Sequence, residues 1–60
     1  MKVKCINDTG VTLGRITTNV IYEVVKNYRE GETYRIIDNF GSETCWNKSR
    51  FEIMNEYSED

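Results

Sequence analysis

The chain has 60 residues, 38% hydrophobic and 30% charged, with ten acids against eight bases and a net charge of −2. That length suits one small domain with a thin core, because a chain of about 60 residues buries only about 60% of the surface its unfolded form exposes. With no histidine and no apolar run of 18 residues, composition excludes a histidine-based nucleophile arrangement and a membrane-spanning helix.

Alanine, the best helix former, is absent, while Ile, Val, Tyr, Phe and Trp dominate the apolar set; this balance predicts an all-β domain. Lys2 to Ile6 alternates, with Val3 and Cys5 on one face and Lys2, Lys4 and Ile6 on the other, the period of two expected of a half-buried strand. Asn7-Asp8-Thr9-Gly10 is a turn signal. Residues 7–19 read as one long excursion, with a short strand at Val11–Leu13 and with Leu13 and Ile16 tucked beneath the sheet. Val20 to Lys26 is the longest strand candidate and carries apolar residues on both faces, which predicts a central or strongly bent strand. Asn27 to Glu32 is a polar loop turned at Gly31.

The most specific signal runs from Thr33 to Asn47. Tyr34-Arg35-Ile36-Ile37 is rich in aromatic and β-branched residues, Asp38-Asn39-Phe40-Gly41 supplies a turn, and Glu43-Thr44-Cys45-Trp46 returns. Two registers are open. Pairing of Asp38 with Ser42 puts Trp46 opposite Tyr34, whereas pairing with Gly41 puts Cys45 there, and a one-residue slip exchanges the faces. Asn47 to Arg50 suits a single 3₁₀ turn, and Phe51–Met54 reads as a last strand with Phe51 and Ile53 inward. The expected architecture is a small five-stranded SH3-like barrel over residues 1–54, with one 3₁₀ turn before the last strand and a frayed acidic tail at 55–60. An OB-fold also has five strands but usually needs more residues and a proper helix.

The N-terminus begins like the basic region of a signal peptide and turns polar at once, so a cytoplasmic setting is the default. There Cys5 and Cys45 are expected as buried thiols, with a disulfide between them as the alternative. Two cysteines without histidine fall short of a structural zinc set, so no metal and no cofactor are expected. From Phe51 onward the chain has four acids and no base, leaving a balance of +2 over residues 1–50. This reads as a solubilising tail or as an acidic surface for a basic groove.

Val-Lys-Cys-Ile at 3–6, Val-Ile-Tyr-Glu-Val at 20–24, Tyr-Arg-Ile-Ile-Asp at 34–38, Cys-Trp at 45–46 and Lys-Ser-Arg-Phe-Glu at 48–52 form a series across nearly the whole chain. The series resembles the small SH3-like proteins of unassigned function encoded by phages of Gram-positive bacteria. In that family a Thr-x-Gly-Lys pattern usually leads into the Val-Tyr-Glu-Val strand. Here Thr17-Thr18-Asn19 leads in, with Asn, the usual substitute at positive φ, where glycine is expected. The resemblance implies a phage product that binds and inhibits a bacterial host protein, including an anti-phage defence protein, in the host cytoplasm.

Catalysis has no support in the residues: paired carboxylates in an enclosing pocket and a glycine-rich phosphate loop are both lacking, so no enzyme is expected. Nucleic-acid binding is the alternative, with Lys2 and Lys4 lining one strand face and Arg29, Arg35, Lys48 and Arg50 near Tyr28, Tyr34 and Trp46, but the acidic balance opposes it. A proline-rich-peptide groove is not expected, because residues 7–19 contain no aromatic. Protein binding fits best. The four Tyr, two Phe and one Trp exceed what so small a core can hide, and exposed aromatics anchor interfaces. The contact residues expected are Tyr28, Tyr34, Phe40 and Trp46, with Tyr57 a further exposed aromatic. A homodimer, paired through Phe51–Met54 or the 33–47 hairpin, would bury part of the surplus.

Overall fold

The computed structural model describes residues 1–54; the expected frayed tail at 55–60, with Tyr57, lies outside them. Five strands follow one another as β1 (Lys2–Cys5), β2 (Ile21–Asn27), β3 (Thr33–Ile37), β4 (Glu43–Asn47) and β5 (Phe51–Met54), with a 3₁₀ turn at Lys48–Arg50 before the last. They form one antiparallel sheet in the order β4-β3-β2-β1-β5. The all-β expectation and the position of the 3₁₀ turn are met. Asn47 starts that turn by accepting a hydrogen bond on its side chain from Ser49 N–H at 2.9 Å, the usual capping role of a short polar residue.

The alternation in β1 does what its period requires: Val3 and Cys5 are fully buried. β2 is the central strand, and a register shift between Val24 and Lys26 bends it. Its first half pairs with β1 and its second with β3, so one strand joins two ladders. Tyr22 is buried and Val24 packs on the core, while Ile21 and Val25 lie exposed on the outer face.

The sheet curls around its inner face. Three strand spacings of about 4.8 Å separate β3 from β5 along the sheet, about 14 Å if flat. Yet the Tyr34 and Phe51 rings, one from each, meet edge-on with centroids 6.0 Å apart. Tyr22 meets Phe51 in the same way at 6.4 Å. Edge-to-face contact suits the ring quadrupoles and adds about 0.5–1.5 kcal/mol per pair beyond the area buried. Val3, Cys5, Ile16, Tyr22, Tyr34, Ile36 and Phe51 make the core, with Val11, Val24 and Trp46 packed against it. β4 and β5 are the two edges, joined through the 3₁₀ turn, with no ladder between them among the described residues.

Three local expectations are corrected. No strand forms at Val11–Leu13: Gly10, Leu13, Gly14 and Asn19 all have positive φ, and the segment is a series of turns closed by bonds such as Val11 N–H to Asp8 O at 3.1 Å. Ile16 is buried as expected, but Leu13 is 76% exposed. Ile53 keeps the parity of Phe51 and pairs with Val3, yet it is 63% exposed because β5 is an edge that the core does not reach.

Candidate functional site

The turn between β3 and β4 is built around the Asp38 carboxylate. Its Oδ1 accepts from the N–H groups of Phe40 (2.9 Å) and Ser42 (3.0 Å), the self-capping that makes Asp a turn residue. Its Oδ2 accepts from Arg15 Nη1 at 3.0 Å and Thr44 Oγ1 at 3.2 Å. The Asp38 side chain has no exposure, whereas Arg15 keeps a third of its own. Burial by itself pushes the Asp38 carboxyl up; the Ser42 and Phe40 N–H groups, with Arg15 and Thr44, outweigh it and hold the carboxyl below its usual value of 3.8. Asp38 pairs with Ser42 through a 2.9 Å backbone bond, Gly41 closes the loop at φ +81°, and Tyr34 stands opposite Trp46. This is the first of the two registers the sequence leaves open.

The long excursion is fastened to this turn from the other side. Asn39 N–H donates to Arg15 O at 2.8 Å, and Asn39 Nδ2 donates to Gly14 O at 2.8 Å and to Thr17 Oγ1 at 3.0 Å. The buried Tyr22 hydroxyl donates to Asn39 Oδ1 at 2.9 Å and accepts from Thr17 N–H at 2.7 Å. Segments more than 20 residues apart in sequence therefore meet in one braced tip. Phe40 is 58% exposed at its end, under the Arg15 guanidinium at 5.1 Å from the ring centroid. Leu13, with φ +62°, adjoins the same junction through Gly14 and is the most exposed of the large hydrophobes described. A bulky side chain in the left-handed region costs roughly 1–2 kcal/mol, so this leucine is held against its backbone preference.

The four expected contact residues do not form one surface. Tyr34 is a correction: it is buried, because the β3 face it occupies curls over Phe51. Trp46 is half-buried on the same face; its Nε1 donates to Thr44 Oγ1 at 2.8 Å, which links it to Asp38, and Arg50 covers its ring. Phe40 and Tyr28 lie at opposite ends of β3, whose five residues span about 17 Å. Tyr28 is half-buried beside a shallow, open depression of about 620 Å³, lined also by Lys26, Arg29, Glu30 and Cys45. Both cysteines are free; Cys5 is buried as expected, while Cys45 is exposed because it faces outward beside Arg35.

Sequence reading missed Leu13, Arg15 and Asn39. A signal existed for the first. In a chain with 30% charged residues, 9–14 and 39–42 carry no charge at all.

Several of the cations near aromatic rings are engaged within the chain. Lys48 lies over Tyr34 and donates to Tyr28 O at 3.1 Å, and Arg50 donates to Asn7 O and Thr9 O at 3.1 and 2.8 Å. Arg35 is 3.5 Å from Glu43, and Lys4 is 4.0 Å from Glu52. No helix is long and apolar enough to cross a membrane, and no group of three or more metal-ligating side chains occurs among the described residues. The chain matches no protein-family model, no curated protein and no solved structure.

Proposed function

We propose that this chain is a non-enzymatic binding module with an SH3-like barrel arrangement, whose work is to dock on another protein. The observation that carries the reading is Phe40, a large aromatic left 58% exposed on a turn braced by a buried carboxylate. Aromatics presented on rigid elements lose little entropy on binding and dominate interface energetics. The SH3-like reading is supported by the long excursion after the first strand, the bent middle strand shared by two ladders and the 3₁₀ turn before the last strand. Taken with the resemblance of the sequence to small phage proteins, the partner is a bacterial host protein that the chain inhibits in the host cytoplasm, including a protein of anti-phage defence. Fold does not imply function, so the reading rests on the exposed aromatic and on that resemblance.

Affinity capture from a nuclease-treated bacterial lysate tests it. A host protein retained after nuclease treatment, whose activity falls when the purified chain is added, is the expected result. Retention that disappears with nuclease, or falls steeply with salt, would favour the nucleic-acid alternative. Self-association through the open edge of β5 belongs to the same proposal and is favoured by Ile53, exposed there. Light scattering at tens of micromolar should give twice the chain mass; a single-chain mass removes the dimer.

A further inference from the structure

We infer that the outer face of the sheet at its Tyr28 end takes an acidic segment of the partner protein, whose carboxylates are held by Lys26, Arg29 and Arg35. This rests on the protein-binding reading and deepens it, by stating the charge of the partner's surface. On the rest of the outer face the ladders set base against acid, with Lys2 opposite Glu23 and Lys4 opposite Glu52. Lys26 stands opposite Arg35 instead, the one pair of like charges in the register among the described residues. Like charges directly opposite are destabilising. Lysine on an edge strand guards against aggregation. That role does not account for this pair, because β2 and β3 are interior strands of the order β4-β3-β2-β1-β5.

The two side chains lean apart. Lys26 Nζ lies over the Tyr28 ring, 5.5 Å from its centroid. Arg35 reaches Glu43 at 3.5 Å, longer than the roughly 2.7–2.9 Å of a charge-assisted hydrogen bond. Arg35 Nε is buried and has no hydrogen-bond partner among the described residues. Arg29 brings a third cation from the loop and lines the same open depression as Lys26. Neither of these two is in an ion pair among the described residues. A carboxylate that enters here gives Arg35 a bidentate partner, Nε included, and separates the three like charges.

Nucleic acid fits less well. Glu43 beside Arg35 and Glu30 on the rim of the depression leave three bases against two acids. A phosphate backbone needs a continued track of cations and would meet those acids next, whereas a short acidic segment needs only the three.

The test titrates the isotope-labelled full-length chain with hexaglutamate at low salt, and with hexaglutamine as control. Hexaglutamate should saturably shift the amide signals of Lys26, Arg29 and Arg35, leave Phe40 and Ile53 unmoved, and lose its effect as salt rises. Hexaglutamine should shift none. Lys26→Gln and Arg29→Gln should each weaken binding about two- to fivefold, while Lys2→Gln, on β1, should not. Lys26→Glu sets an acid opposite Arg35, so it should abolish hexaglutamate binding yet melt a few degrees above the unaltered chain. Shifts spread over every Lys and Arg, or binding unchanged by Lys26→Gln and Arg29→Gln, overturn the inference. A host protein captured equally well by the unaltered chain and by Lys26→Glu also overturns it and leaves the protein-binding reading standing. Tighter binding of an oligothymidylate than of hexaglutamate at these residues would assign the surface to nucleic acid. Binding that appears only after Glu56, Glu59 and Asp60 are neutralised would make the chain's own tail the occupant; either result overturns the acidic partner. A lowered melting temperature for Lys26→Glu removes the like-charge argument and with it the assignment of Lys26.

Discussion

At the end of β3 that leads into β4, the turn is braced by a buried carboxylate, a buried tyrosine hydroxyl and an asparagine, all reaching segments distant in sequence. At the other end, the loop that carries Tyr28 is closed by Gly31 N–H to Tyr28 O at 2.9 Å and by Lys48 Nζ to the same oxygen at 3.1 Å. Both loops present an aromatic. One is fixed by several side chains converging on it, and the other by a single turn bond and by Lys48, whose N–H also donates to Glu32 O at 2.7 Å. A denser brace matters for contact, because each rotamer-rich side chain immobilised at an interface costs about 0.5–1.5 kcal/mol. It favours Phe40 over Tyr28 as the anchor of the proposed protein contact.

The largest effect that should distinguish the two ends comes from Asp38. Asp38→Ala leaves Arg15 and the Phe40 and Ser42 N–H groups without their acceptor and should destabilise the domain by about 2–4 kcal/mol, read from denaturant melts. Acid gives the same answer without a substitution. The Asp38 carboxyl titrates lower in the folded chain than its usual 3.8, so its contribution is fully present well above that value. It should be lost as pH falls from about 4 towards the lower folded value. Asp38→Asn should flatten that part of the stability profile; an unchanged profile would show that other carboxylates govern the acid limb.

A smaller loss is expected from Tyr22→Phe. The ring and its contact with Phe51 stay, but Thr17 N–H loses its acceptor and Asn39 Oδ1 its donor, for about 1–2 kcal/mol. Amide exchange should quicken at Thr17 and Asn39 and stay unchanged at Tyr28 and Gly31; uniform quickening would mean that the brace is not local. Tyr28→Ser should have the smallest effect of all, within about 0.5–1 kcal/mol, since the ring is half-exposed and the bonds that close its loop use backbone atoms. A loss as large as that of Asp38→Ala would erase the distinction between the two ends.

What the sequence by itself determined is local. Alternation in Lys2–Cys5, the aromatic and β-branched run at Tyr34–Ile37, the Asp-Asn-Phe-Gly turn and the 3₁₀ turn after Asn47 each act within a few residues, and each is where the pattern puts it. The tertiary structure alone decided whether a given face was covered. Tyr34 and Ile53 both lie on inward-facing positions by parity, yet one is 6% exposed and the other 63%, because the curl of the sheet brings β5 over β3 and leaves the far end of β5 open. Leu13 and Ile16 likewise read alike in sequence. They part company because the excursion lands on the β3–β4 turn, through bonds from Arg15 to Asp38 and from Asn39 to Gly14, contacts 23 and 25 residues apart. Periodicity reports which way a side chain points relative to its neighbours. What lies on the other side depends on chain segments that a local pattern does not encode.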